Sequence, residues 1–211
     1  MMSSPLLPPG RAGRAAEYLT ETEATDAELD RMTELALGRG ARTVALGRGN
    51  SPAAARAADG FARRFEAAGG TILGTITWPE TAASWLRPAT RFAAADPDLW
   101  VMAGPATGWA QMTRRLLWST PWRADRTLAF AALGTRPVIA LVGAHNLPGL
   151  TGPTADGGTW QVTDGLLRPT PTPGAGAGPA PEGQTYDIDA TFMSLSRHEC
   201  GIHVVCRDRD G

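Results

Sequence analysis

The sequence predicts an α/β fold, a parallel sheet with helices on both faces. Two observations carry that expectation. Short apolar runs such as Thr43–Leu46, Thr71–Trp78 and Leu99–Ala103 alternate with stretches whose apolar residues recur at helical spacing. Between about Arg42 and Val142 the order is strand, helix, strand, helix, strand, helix, strand, which calls for right-handed crossovers between parallel strands. A hairpin and a flexible tail follow. The expected organisation is an extended segment over 1–19, an α/β lobe over 20–169, a Pro/Gly linker over 170–183 and a tail over 184–211.

Each element has a local reason. Thr25-Asp26-Ala27-Glu28 is a capping box, in which hydroxyl and carboxylate satisfy orphan amides reciprocally. Leu29, Met32, Leu35 and Ala36 follow on one face, and Gly38 and Gly40 supply the stop. Arg42–Leu46 is the short apolar run of a strand buried on both sides. After the turn Gly47-Arg48-Gly49-Asn50, Ser51 caps a helix that opens on Pro52, where a missing N–H costs nothing. Ala54, Ala58, Phe61 and Phe65 form its apolar stripe, and Gly69-Gly70 ends it. Ser84 is expected to cap a helix to about Ala95, which Asp96-Pro97 breaks. A fourth helix carries Ala110, Met112 and Leu116 and stops at Pro121. Thr127–Leu133 and Val138–Val142 read as strands. Leu150 to Val162 reads as a hairpin turning at Asp156-Gly157-Gly158. Of the tryptophans, Trp78 and Trp100 are expected in the core, and Trp109 is placed to line a cleft.

Composition removes several classes of function. All 20 basic residues are arginine, and there is no lysine. A Walker A loop, a protein-kinase site and a Schiff-base site each need a lysine. The net charge of −1 steers the chain toward neither nucleic acid nor an anionic membrane. No apolar run reaches the roughly eighteen residues of a membrane span. The N-terminal residues lack the pattern of a signal peptide, which by itself points to the cytoplasm.

The candidate motifs are modest. Gly47-Arg48-Gly49 stands where a Rossmann phosphate loop would, but Pro52 replaces the third small residue and no acidic residue follows at the ribose position. It reads as a plain strand-to-helix turn. His198, Cys200, His203 and Cys206 are zinc-ligand residue types. Their spacing matches no standard knuckle, and the expectation is a free-thiol tail without zinc. Asp208-Arg209-Asp210 is too close to the end of the sequence to close a calcium loop. His145 is expected just past the last strand, with Asn146 beside it, but no nucleophile elbow or metalloprotease motif accompanies it. The chain is therefore read as non-catalytic, with no cofactor.

From Arg42 to about Trp118 the sequence resembles the second lobe of type 1 periplasmic binding proteins, the leucine/isoleucine/valine-binding group. The likeness rests on Thr43–Leu46 leading into the helix with Phe61, on Ala68-Gly69-Gly70-Thr71-Ile72, on Ala95-Asp96-Pro97-Asp98-Leu99-Trp100-Val101, and on Gly104–Met112. Gly149-Leu150-Thr151-Gly152-Pro153 with Asp156-Gly157 adds a late match. The resemblance implies a cell-envelope location and a ligand held between two lobes by the loops Arg48–Ser51, Pro79–Thr81 and Pro105–Thr107. A first lobe is not evident, which leaves a missing lobe or a second copy to supply the other wall. Amino-acid binders of this group commonly carry aromatics in the first and third loops, where this chain has Asn50 or Ser51 and Pro105. Penicillin-binding-protein activators share the fold and use it for protein contact.

The expected function is thus a solute-receptor-like module for a small polar ligand such as an amino acid. An activator-like contact with a cell-envelope protein is the alternative, and a Rossmann-type enzyme the distant third. The expected ligand residues are Arg48, Asn50, Ser51, Glu80, Thr107, Trp109, His145 and Asn146. Parallel strands deliver them to one edge, where helix N-termini suit a carboxylate.

Overall fold

Local capping sets the boundaries of the first elements. Thr25 caps α1 (Asp26–Gly38) by accepting the Glu28 amide, and Gly40, at φ +73°, reverses the chain after it. β1 (Thr43–Gly49) follows, and α2 (Pro52–Ala67) begins with Pro52 behind the Ser51 cap. β2 (Thr71–Trp78), α3 (Leu86–Ala94), β3 (Leu99–Ala103) and α4 (Ala106–Ser119) continue the alternation. Trp85 rather than Ser84 precedes α3, although the Ser84 hydroxyl still accepts the Leu86 amide at 3.2 Å. The computed structural model describes residues 23–170, which lie in the first of two units, Met1–Pro173 and Gly174–Gly211. The expected extended segment and the His/Cys tail lie outside the described residues.

The next stretch departs from expectation. β4 spans only Thr127–Ala129, a 3-10 turn takes Ala131–Leu133, and Val138–Val142 lies in a helix, α5 (Arg136–Val142). The reason is topological. β4 runs parallel to β5 (Thr151–Pro153), and parallel neighbours need a crossover rather than another strand. Pro137 is compatible with a first helical turn and Gly143, at φ +92°, ends the helix.

β6 (Thr159–Thr163) and β7 (Leu166–Thr170) complete one seven-stranded sheet of order β2-β1-β3-β4-β5-β6-β7. β2 through β5 in that order are parallel; β6 and β7 are antiparallel. The late hairpin therefore extends the sheet, because β5 pairs with β4 on its other side.

Two cores lie on the two faces. Leu29, Met32 and Ala36 of α1, with Phe61 and Phe65 of α2, cover Val44, Leu46, Val101 and Leu128. Phe92 of α3, Met112 and Leu116 of α4, and Val138 and Ile139 of α5 cover Trp100, Met102 and Ala129. Trp78 and Trp100 are both in this second core. Asp98 fastens together the amino ends of β1 and β3, taking the Arg42 and Thr43 amides at 2.9 and 2.8 Å and the Thr43 hydroxyl at 2.9 Å. These donors hold its carboxyl below the usual aspartate range.

Burial predicts where substitutions cost most. Phe61→Ala empties a fully enclosed site beside Phe65 and should lower unfolding stability by about 3–5 kcal/mol. Leu73→Ala, on the exposed edge strand β2, should change it by about 0.5 kcal/mol or less. Denaturant titration of both variants checks the contrast.

Candidate functional site

The carboxyl ends of β1 and β3 approach so closely that neither tolerates a side chain. A Cβ on Gly104, whose φ is +139°, would stand 2.8 Å from the Gly49 backbone nitrogen. A Cβ on Gly49 would stand 2.5 Å from Glu80 Oε1 and 2.8 Å from the Pro105 ring. Gly47 is small for the same kind of reason, since Trp78 and Phe92 would lie 2.7 and 2.9 Å from its Cβ. The Gly-Arg-Gly run thus makes room for an indole and a carboxylate of the chain itself.

The two long helices at this edge carry their own caps. Ser51 Oγ accepts the Ala54 amide at 3.1 Å at the start of α2. Glu80, from the loop after β2, accepts the Gly108 amide at 2.9 Å in the first turn of α4. A carboxylate already occupies the place at α4 where the sequence reading put a ligand carboxylate, and a second anion beside it would be repelled. Arg48 is half-buried and donates to the Gly49 carbonyl at 3.3 Å; Asn50 is exposed and Thr107 half-buried.

The remaining three expected residues lie elsewhere. Trp109 is fully buried in the core beneath α4 and lines no cleft. His145 and Asn146 form a 3-10 turn after α5, not after a strand. That turn leads into the start of β5 and sits against Gly165, in the turn between β6 and β7, which is the amino-terminal edge of the parallel strands. Asn146 donates to the Val142 carbonyl at 2.9 Å, closing the end of α5. The structure therefore gathers Arg48, Asn50, Ser51, Glu80 and Thr107 at one edge and leaves His145 and Asn146 at the other.

Beside those five, on the α1/α2 face, lies a partly open cavity of about 370 Å³ that none of the eight expected residues lines. Its floor is Ala103, Gly104 and Phe130 at the ends of β3 and β4. Ala53, Ala54 and Ala57 of α2 form one wall, and the turn Ala131–Thr135 forms a second. Thr154, Ala155 and Trp160 of the β5–β6 hairpin close the rim. Methyl groups dominate this lining because α2 is alanine-rich over its first two turns.

One ionisable side chain faces into it, Glu28 of α1. It is 4% exposed, and its carboxylate takes the Ala131 amide at 2.7 Å. Thr25 links the same helix end to the hairpin, its hydroxyl donating to the Ala155 carbonyl at 2.6 Å. The capping box therefore does two jobs: it starts α1 and it ties α1 to one wall and to the rim of the cavity. Burial pushes the Glu28 carboxyl up, and the Ala131 and Thr25 amides partly offset this. Chemically, the cavity can take a small apolar group and is lined by one carboxyl, two threonines and Trp160. Among the described residues no group of three or more His, Cys, Asp or Glu is placed to hold a metal, and no helix is long and apolar enough to cross a membrane.

A raised carboxyl contributes stability that is present below its ordinary titration range and lost as pH rises through the raised value. Glu28→Gln keeps an oxygen for the Ala131 amide and does not titrate. The melting temperature of the variant minus that of the wild type should therefore increase from acid to neutral pH. A flat difference would show that Glu28 ionises in the folded chain as freely as in water.

No protein-family model matches the sequence, and no curated protein matches it. Solved structures do match its fold. A substrate-binding periplasmic protein from Ralstonia solanacearum superposes with a TM-score of 0.53 at 16% identity, over 65% of this chain and 40% of that one. An extracellular ligand-binding receptor from Rhodopseudomonas palustris HaA2 gives 0.53 at 15% identity, over 60% and 34%. A protein assigned to a branched-chain amino acid ABC transporter from Rhodospirillum rubrum gives 0.51 at 18% identity, over 60% and 36%. This chain thus matches less than half the length of each. Its fold is that of one lobe of a type 1 periplasmic binding protein.

Proposed function

We propose that the chain is a non-catalytic, solute-receptor-like module that holds a small ligand at the carboxyl edge of its parallel sheet. The observation that carries this reading is the cavity beside Glu28, at the edge where open α/β sheets take their ligands. The fold is one used by substrate-binding periplasmic proteins, which supports the same class of function. An amino-acid-like ligand fits in a particular orientation. Its apolar part enters between the alanines of α2 and the Ala131–Thr135 turn, and its ammonium faces Glu28. Its carboxylate then points outward toward Arg48, away from the Glu80-capped end of α4. A single lobe covers one side of such a ligand, so the second wall comes from a first lobe or from another copy of the chain.

Contact with a cell-envelope protein, as in the activator subgroup, is the second reading. It is favoured by loops that carry no aromatic and by helix ends already capped within the chain. A nucleotide enzyme is disfavoured on physical grounds. Pro52 has no amide to give a phosphate, Ser51 holds that of Ala54, and Glu80 places negative charge at the neighbouring helix.

Ala131→Leu places a larger side chain into the cavity from one of its walls and separates the first two readings. Thermal shift against a panel of amino acids should give saturable stabilisation of the wild type by at least one member, abolished in Ala131→Leu. If no member stabilises the wild type, and a peptidoglycan synthase is retained equally by both forms in a pull-down, the protein-contact reading replaces the ligand reading.

A further inference from the structure

The near-zero net charge hides a segregation of charge between the two helical layers. α3, α4 and α5 together carry five arginines, Arg87, Arg91, Arg114, Arg115 and Arg136, and not one aspartate or glutamate. They pack side by side over one face of the sheet, contributing Phe92, Met112, Leu116 and Ile139 to a common core, so their polar sides form one outer surface. On the opposite layer the charges neutralise locally. Arg31 pairs with Glu34, Arg56 with Glu23, and Arg64 with both Asp26 and Asp30.

Among the described residues, Arg87, Arg91, Arg115 and Arg136 take part in no ion pair. Arg115 makes one contact, to Ser119 Oγ at 3.5 Å. Arg114 is different, since its guanidinium donates to the Leu141 carbonyl and closes the end of α5.

A large aromatic stands on the same surface. Trp118, near the end of α4, is 87% exposed, more than any other large apolar side chain described. It follows Arg114 and Arg115 by four and three residues, so the three share one side of the helix. Leu86, at the start of α3, is 46% exposed on the same layer.

We propose that the α3–α4–α5 layer docks on an anionic phospholipid surface, with Trp118 seated at the headgroup level and Arg87, Arg91 and Arg115 against lipid phosphates. Unpaired guanidiniums on a face without carboxylates match a negative surface and bind phosphate in a forked geometry. A lone protruding indole is suited to the membrane interface, where an amphipathic ring needs no pocket. An acidic protein partner fits less well. A tryptophan that anchors a protein interface is normally enclosed by its surroundings, and Trp118 stands 87% exposed on a helix side it shares with Arg114 and Arg115. This surface lies on the opposite face of the sheet from the cavity, so the inference stands apart from the ligand reading.

Co-sedimentation of the full chain with vesicles tests it. The chain should pellet with phosphatidylcholine vesicles containing phosphatidylglycerol, stay in solution with phosphatidylcholine alone, and be released by high salt. Each of Arg87→Gln, Arg91→Gln and Arg115→Gln should weaken partitioning about fivefold, and the three together roughly a hundredfold. The fluorescence difference between wild type and Trp118→Phe should shift to shorter wavelength on vesicles. All four positions are surface sites, so the variants should melt with the wild type, and the salt release needs no variant at all. The proposal is overturned if the wild type ignores the anionic vesicles or pellets equally with neutral ones. It is also overturned if the triple variant still pellets, or if the Trp118 emission does not move. Binding to soluble polyglutamate under conditions where anionic vesicles are not bound would assign the surface to an acidic protein instead.

Discussion

The arrangement of residues 23–170 follows from a sheet whose central strands are buried on both faces. All of β3 is enclosed, as are Val44, Ala45, Leu46 and Gly47 of β1. A strand with no solvated face must be covered twice, so each crossover lays down a helix, first on one side and then on the other. Right-handed crossovers then return every parallel strand in the same sense, and their carboxyl ends meet at one edge. The cavity, the Glu80 cap and the glycine contact between β1 and β3 all exist at that edge for this reason. None of them depends on which ligand the site takes.

Small residues set the distances within that frame. Gly49 and Gly104 let two loops touch, and Gly47 lets the Trp78 ring lie against the sheet. Ala53, Ala54 and Ala57 keep α2 from filling the space its own cap opens. Larger side chains at those alanines would close the cavity while leaving the helix intact, because alanine and leucine are both strong helix formers. The alanine-rich composition therefore determines a shape as well as a secondary structure.

Much of the fold was legible from local signals. Ser51 with Pro52, the Phe61–Phe65 stripe and Gly69-Gly70 each act within a few residues, and the structure has α2 where they place it. The run Val138–Val142 was not legible in the same way, because a short apolar stretch serves equally as a buried strand or a buried helix. Pro137 was the cue, two residues into the helix, and the parallel pairing of β4 with β5 is what decides it. The site was less legible still. Its five edge residues follow from strand ends, but Glu28 reads in sequence only as the last member of a capping box. Its place in the cavity depends on the Ala131 amide and the Thr25–Ala155 contact, which join residues about a hundred or more positions apart. A pattern confined to one helix holds no trace of such a partner. His145 and Asn146 were misplaced through the same helix: once α5 replaces a strand, the residues after it emerge at the opposite edge.

Net charge leaves out the layout of charge for a related reason. A sum of −1 weighs acidic and basic residues without regard to the face they occupy. Helical periodicity and sheet topology do the sorting, and they pair Asp26, Asp30 and Glu34 with arginines on one layer while Arg87, Arg91 and Arg115 stand without acids on the other. Interactions between exposed charges decay over roughly 8–10 Å at physiological ionic strength, so two layers with a sheet between them present different fields to whatever approaches them. An estimate of partners from composition holds only when charges are mixed on that length scale. Here they are mixed along the sequence and on one layer, while the helices of the other carry arginine alone, and it is that layer which a surface outside the molecule would meet.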